Sequence, residues 1–265
     1  MFSKTLHLSL PSSALFKFPP NPEPVALPPP TAGSTLVAPP FSIPVDLYTS
    51  ALDVRVPITI ASVYAVTVTL LNKYNRSRGN KPWPISKTKP FFWFVVAHNV
   101  FLALYSAWTF IGMFNALQRT VERWSTPAGL AGTVDSLCKI HGASGLGNAI
   151  IYNGDAWVSQ SPNVLLSDAG TPDATGLGRL WNEGLAFYGW FFYLSKFYEV
   201  LDTAIILAKG KRSSTLQTYH HAGAMMCMWA GIRYMSPPIW MFCFVNSGIH
   251  ALMVWILHLW SFIPS

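Results

Sequence analysis

With 265 residues of which only 11% are charged, against about 25% in ordinary soluble domains, this chain cannot cover the surface of a water-soluble fold. Hydrophobic residues make up 51% of it and aromatics 14%. A net charge of +7 would raise nucleic acid as a partner in a soluble protein, but the basic residues cluster between apolar runs, which membrane topology explains without one.

Residues 1–45 read as a disordered, Pro-rich N-terminal tail. Lys4, His7 and Lys17 interrupt any apolar core that a signal peptide would need. Residues 46–265 read as one transmembrane domain. Four stretches in it are free of Asp, Glu, Lys and Arg: 56–72, 90–117, 213–232 and 234–265. A helix needs about 20 residues to cross the hydrocarbon core, with its backbone satisfied internally. A further span, 184–208, is apolar in its first half and then carries Lys196, Glu199 and Asp202. Charges at mid-span are costly and, where they occur, face the interior. The expected fold class is therefore all-α, a polytopic membrane helix bundle with about five transmembrane helices.

The loops orient it. Lys73, Arg76, Arg78, Lys81, Lys87 and Lys89 follow the first span with no acidic residue among them, and Lys209, Lys211 and Arg212 follow the third. The positive-inside rule places both loops in the cytosol. It places segment 118–183 and the N-terminus on the other side, outside or lumenal, and leaves the C-terminus cytosolic. The three cysteines, Cys138, Cys227 and Cys243, have no CxxC spacing and suit neither a disulfide framework nor a zinc site, although one pair could bridge.

Polar groups recur inside the spans. Lys196, Glu199, Asp202 and Thr203 fall within roughly 120° of one helix face. A Lys or Asp at mid-span costs about 2.5–3.5 kcal/mol, so these groups either pair as a structural ion network or serve chemistry. Gln217, His220 and His221 share one arc of the next span, and Asn246, His250 and Met253 one face of the last. Single intramembrane histidines are often packing residues. Three histidines with two carboxylates, a lysine, an Asn and a Gln make an active-site inventory.

These motifs resemble the very-long-chain fatty acid elongase family, the membrane 3-ketoacyl-CoA synthases. Lys196 to Thr203 is similar to that family's KxxExxDT motif, Gln217 to His221 to its HxxHH box, and Asn246 to Met253 to the start of NxxxHxxMYxYY. His98-Asn99 looks like a further family pair. The likeness covers roughly residues 47–253. Gln217 replaces the leading histidine of the box, as in members that elongate polyunsaturated chains. Val254-Trp-Ile-Leu-His258 replaces the tyrosines expected after Met253, where family members usually continue through two more spans. The chain thus reads as C-terminally truncated, and the working protein is expected to continue differently after Met253.

The resemblance implies condensation of acyl-CoA with malonyl-CoA to a 3-ketoacyl-CoA with loss of CO₂, in the endoplasmic reticulum membrane. It implies no cofactor beyond the CoA thioesters and no metal. Imidazole is a competent acyl carrier when neutral, which suits His220. His221 and His250 are acid–base or enolate-stabilising candidates, Glu199 and Asp202 orient the histidines, and Asn246 and Gln217 donate hydrogen bonds. Lys196, Lys209, Lys211 and Arg212 suit the CoA phosphates, with Thr203 and Tyr219 as further substrate contacts. Partners would be membrane lipid, other elongation-cycle enzymes and a second copy of the chain, with no nucleic acid. Two other readings stand: an inactive truncated elongase-like protein, and a di-iron membrane desaturase or hydroxylase, which would need more box histidines than this chain has.

Overall fold

The structure, a computed structural model, describes residues 41, 43–153, 155–173 and 176–261, with side chains as far as residue 252 except that of Val45. The tail expected over 1–45 lies outside the described residues as far as residue 40. At its end, Phe41 sets its ring edge-on against Phe187 and Phe191, and Ile43 is buried.

The helices follow the apolar runs. Helix α1 (Val45–Ala51) leads to α2 (Arg55–Ser77), and a single tight turn (Pro84–Lys87) leads to α3 (Lys89–Thr120). Thr88 caps α3 by accepting from the Phe91 amide, and Pro90 fits the first turn, where no backbone donor is needed. After α4 (Gly129–Cys138) come three short strands, then α5 (Ala186–Tyr198), α6 (Val200–Ala208), α7 (Thr215–Arg233) and α8 (Ile239–Ser261). Among the described residues, α2 and α3 are the helices long and apolar enough to cross a membrane on length and composition alone. The expected third span is α5 and α6 together, tightened at Glu199, where the Asp202 amide reaches back to the Glu199 carbonyl at 3.1 Å.

Helix α5 is central. It carries three large, fully buried aromatic side chains, Phe187, Phe192 and Tyr193, and meets α3, α7 and α8. Gly112 permits the approach of α3, since a Cβ there would overlap the Tyr188 ring. Helix α8 runs along α3, with Phe244 stacked on Phe110 at 4.7 Å. Helix α2 packs outside this group, against α6 and α7.

One end of the bundle gathers both basic loops. The Asn75 amide donates to the Leu207 carbonyl at 2.8 Å, the Trp83 backbone amide to the Ala208 carbonyl at 2.9 Å, and Asn72 bonds both backbone groups of Ser213. The turn after α6 requires Gly210, whose φ is +72° and whose Cβ would lie 2.5 Å from the Asn80 carbonyl oxygen. The opposite end is fastened by indole N–H groups, Trp229 to the Leu52 carbonyl and Trp240 to the Leu137 carbonyl. The two basic loops are therefore on the same side, opposite the 121–180 segment.

That segment holds a feature not foreseen from the sequence. Strands β1 (His141–Gly142), β2 (Ala149–Tyr152) and β3 (Trp157–Ser159) form an antiparallel sheet in the order β1-β2-β3. Arg179, buried, staples it to α4: it pairs with Asp135 at 2.7 Å and donates to the carbonyls of Lys139, Ala143 and Gly145. Burial would push the Asp135 carboxyl up, but hydrogen bonds from Lys139 and Arg179 outweigh it and hold it below the usual carboxylate range. Burial beside Trp157 and Trp181 drives the His141 imidazole down to about 3, against a weaker opposing hydrogen bond with the Met235 backbone. Both shifts act in one direction. The unfolded segment binds more protons than the folded one, so stability is full above the free histidine value of about 6.5. It falls by up to about 1.4 kcal/mol per pH unit on acidification below that, down to about pH 3. Hydrogen exchange of the β2 amides should therefore be faster at pH 5 than expected from intrinsic rates at pH 7.5, and His141→Phe should remove the difference.

Candidate active site

Four helices send a polar side chain to the α5–α6 junction, and each meets a different residue of it. From α8, Asn246 Oδ1 accepts from Lys196 Nζ at 3.0 Å. The same ammonium donates to Glu199 Oε1 at 2.5 Å and lies over the Phe192 ring, 3.9 Å from its centroid. From α7, His221 Nδ1 approaches Glu199 Oε2 at 3.8 Å. From α3, His98 Nε2 meets Asp202 Oδ1 at 2.8 Å, and its Nδ1 meets the Tyr198 hydroxyl at 3.2 Å. From α2, the Tyr64 and Thr203 hydroxyls bond at 2.9 Å.

Helix periodicity explains the fan. Lys196, Glu199 and Thr203 recur at spacings of three and four and are buried; their exposures are 2%, 4% and 1%. Asp202 is turned toward α3 and partly open. The Lys196–Glu199 pair is dry, so each charge depends on the other. His221 Nδ1 is itself buried without a hydrogen-bond partner among the described residues. At 3.8 Å it is too far from Glu199 for a hydrogen bond, and a modest closure would bring the imidazole under control of the carboxylate.

The histidine box occupies the first two turns of α7, which Ser214 caps by accepting from the Gln217 amide at 3.0 Å. The structure divides the box. His221 is buried, with the Tyr64 ring edge-on at 6.2 Å, whereas His220 and Tyr219 are exposed and Gln217 is half-exposed. Of the three, His221 alone is buried, since adjacent positions on a helix are 100° apart and need not share one environment. The His220 and His221 rings remain neighbours, with centroids 5.7 Å apart. His250, one turn after Asn246, is partly buried. The Met253 side chain lies outside the described residues. Lys209, Lys211 and Arg212 are exposed at the basic end. The three cysteines are unpaired. Among the described residues no three His, Cys, Asp or Glu side chains are grouped to hold a metal ion.

Sequence reasoning left out Tyr64, Tyr198 and Ser195, and gave His98 no role in the site. A lone histidine in an otherwise uncharged span was the available signal for His98; nothing marked Tyr64, one of ten tyrosines.

Comparison with known proteins agrees with the motifs. The profile of the ELO (GNS1/SUR4) family matches residues 49–262. The match runs past Met253, so the likeness does not end at Val254. Among curated proteins, fatty acid elongase sre1 of Dictyostelium discoideum is 36% identical over 70 residues, 26% of each chain. Very long chain fatty acid elongase 3 of Homo sapiens is 32% identical over 72 residues, 27% of each. Fatty acid elongase 2 of Trypanosoma brucei brucei is 30% identical over 77 residues, 29% of this chain and 28% of that one. The aligned part spans about a quarter of the length of each of these relatives. No solved structure matches.

Proposed function

The chain belongs to the GNS1/SUR4 (ELO) family, and from that premise we propose that it is a fatty acid elongase, a 3-ketoacyl-CoA synthase condensing acyl-CoA with malonyl-CoA. The observation that carries this reading is the buried Lys196–Glu199 pair with His221 against it and Asn246 above it. Condensation needs an imidazole that can take an acyl group, a carboxylate that governs its proton, and fixed donors for an enolate oxygen.

In this scheme His220 is the acyl carrier. Its ring is open to an incoming thioester, whereas His221 is walled in by Tyr64 and Glu199. The His220 nitrogen attacks the thioester carbonyl and the CoA thiolate leaves with the imidazole's proton. Malonyl-CoA then loses CO₂, and its enolate carbon attacks the acyl carbon and releases the imidazole. His221, under Glu199, and His250 handle protons or hold the enolate, and Asn246 and Gln217 are donors. His98 holds Asp202. Lys209, Lys211 and Arg212 attract the CoA phosphates, with Tyr219 beside them. The same reading puts the protein in the endoplasmic reticulum membrane with both basic loops cytosolic. An acceptor site engineered between residues 73 and 89 should stay unglycosylated, and one placed at 160–172 should be modified; the reverse pattern overturns the orientation. Expression in cells lacking their own elongases tests the function: fatty acids lengthened by two carbons support it, and an unchanged profile with the protein present in the membrane counts against it.

A further inference from the structure

A groove of about 340 Å³ runs between α2 and α6, with no lining residue from α3 or α8. Its α2 wall extends from Thr59 to Leu71, about 18 Å at 1.5 Å per residue, so it lies lengthwise along the span. Val63, Val68 and Leu71 on one side and Val200 and Leu207 on the other make it apolar. Its floor is the Tyr64–Thr203 hydrogen bond, which ties the two hydroxyls to each other. The groove ends at Leu71 and Leu207, the end of the bundle where the basic loops meet. There, two turns beyond Leu71 on the same face of α2, Arg78 is exposed and held over Tyr74, its guanidinium 5.4 Å from the ring centroid. Lys73, Arg76 and Lys81 belong to the same end of the bundle, all exposed and without an acidic partner among the described residues.

We infer that this groove is a binding site for an anionic phospholipid, one acyl chain lying between α2 and α6 and the head group against Arg78. The shape calls for a chain parallel to the helices, the position of Arg78 for a negative charge at one end, and the bilayer supplies both in that orientation. An acyl-CoA seated the same way would hold its thioester near Leu207, eight residues from Glu199 and about 12 Å along the helix, behind the Tyr64–Thr203 bond. The occupant is therefore a resident lipid and not the substrate, and the inference stands apart from the proposed chemistry.

The test uses the full chain in vesicles of phosphatidylcholine carrying a minor fraction of phosphatidylglycerol with a photoreactive acyl chain. Adducts should concentrate on residues 59–71 and 200–207 over the exposed stripe of α3 at Leu104 and Ile111. Labelled phosphatidylcholine at the same fraction should give about fivefold fewer. Val63→Trp, at an exposed position, fills the groove and should remove the adducts; Ala204→Phe does so from the other wall. Arg78→Gln should bring phosphatidylglycerol down to the phosphatidylcholine level. Even labelling of α3 and the groove, adducts that persist in both filling variants, or displacement by an equimolar acyl-CoA each overturns the inference.

Discussion

Replacing Lys196 by Met should cost about 3–5 kcal/mol of stability, the range for removing one partner of a buried ion pair. Both side chains are almost wholly enclosed, so water cannot take over from the ammonium when it is lost. Glu199 would be left as an unpaired carboxylate with only the Ser195 hydroxyl, at 3.5 Å, and a distant imidazole nearby. Asn246 would lose its donor as well. The Lys196→Met, Glu199→Gln double variant removes both charges and should recover most of the loss. Unfolding of the purified protein in mixed micelles of increasing denaturing-detergent fraction measures both. A single variant as stable as the parent would mean that the pair is wetter than the packing indicates.

His220→Ala should lower condensation at least about 100-fold, the lower end of what a positioned acid–base or nucleophilic group contributes, while unfolding stays within about 0.5 kcal/mol, as for exposed positions generally. The exposure of His220 is what separates these two readouts. His221→Ala is the contrasting case: it empties a buried site against Tyr64 and should disturb both activity and stability. If His220→Ala kept most of the activity and His221→Ala lost it, the carrier would be His221, and Tyr64 would have to move aside to admit the thioester.

The spans were legible because a membrane-crossing helix must be apolar for its whole length, and α2 and α3 announce themselves that way. The α5–α6 span was legible only through its motif: Lys196, Glu199 and Asp202 lower its hydropathy, and they are tolerated through the Lys196–Glu199 pair itself and through partners on other helices. Pairing between helices is what periodicity does not carry. The face holding Lys196, Glu199 and Thr203 could be drawn from spacing, but not that Asn246 would take the lysine, His221 the glutamate, His98 the aspartate and Tyr64 the threonine. The same limit explains His220, which shares an arc with His221 yet points past the neighbours that bury it. The small sheet went unforeseen for a different reason. Its strands are two to four residues long, too short for alternation to register, and they are stabilised by a distant arginine, Arg179.

The most direct measurement of the central claim is the product balance of the purified chain in lipid, given a long-chain acyl-CoA and malonyl-CoA labelled in its free carboxyl. The account predicts labelled CO₂ and a 3-ketoacyl-CoA two carbons longer in equal amounts, and, with malonyl-CoA withheld, an acyl group on His220 recoverable by peptide mass mapping. Folded protein that releases no CO₂ and carries no acyl group after exposure to acyl-CoA would contradict it.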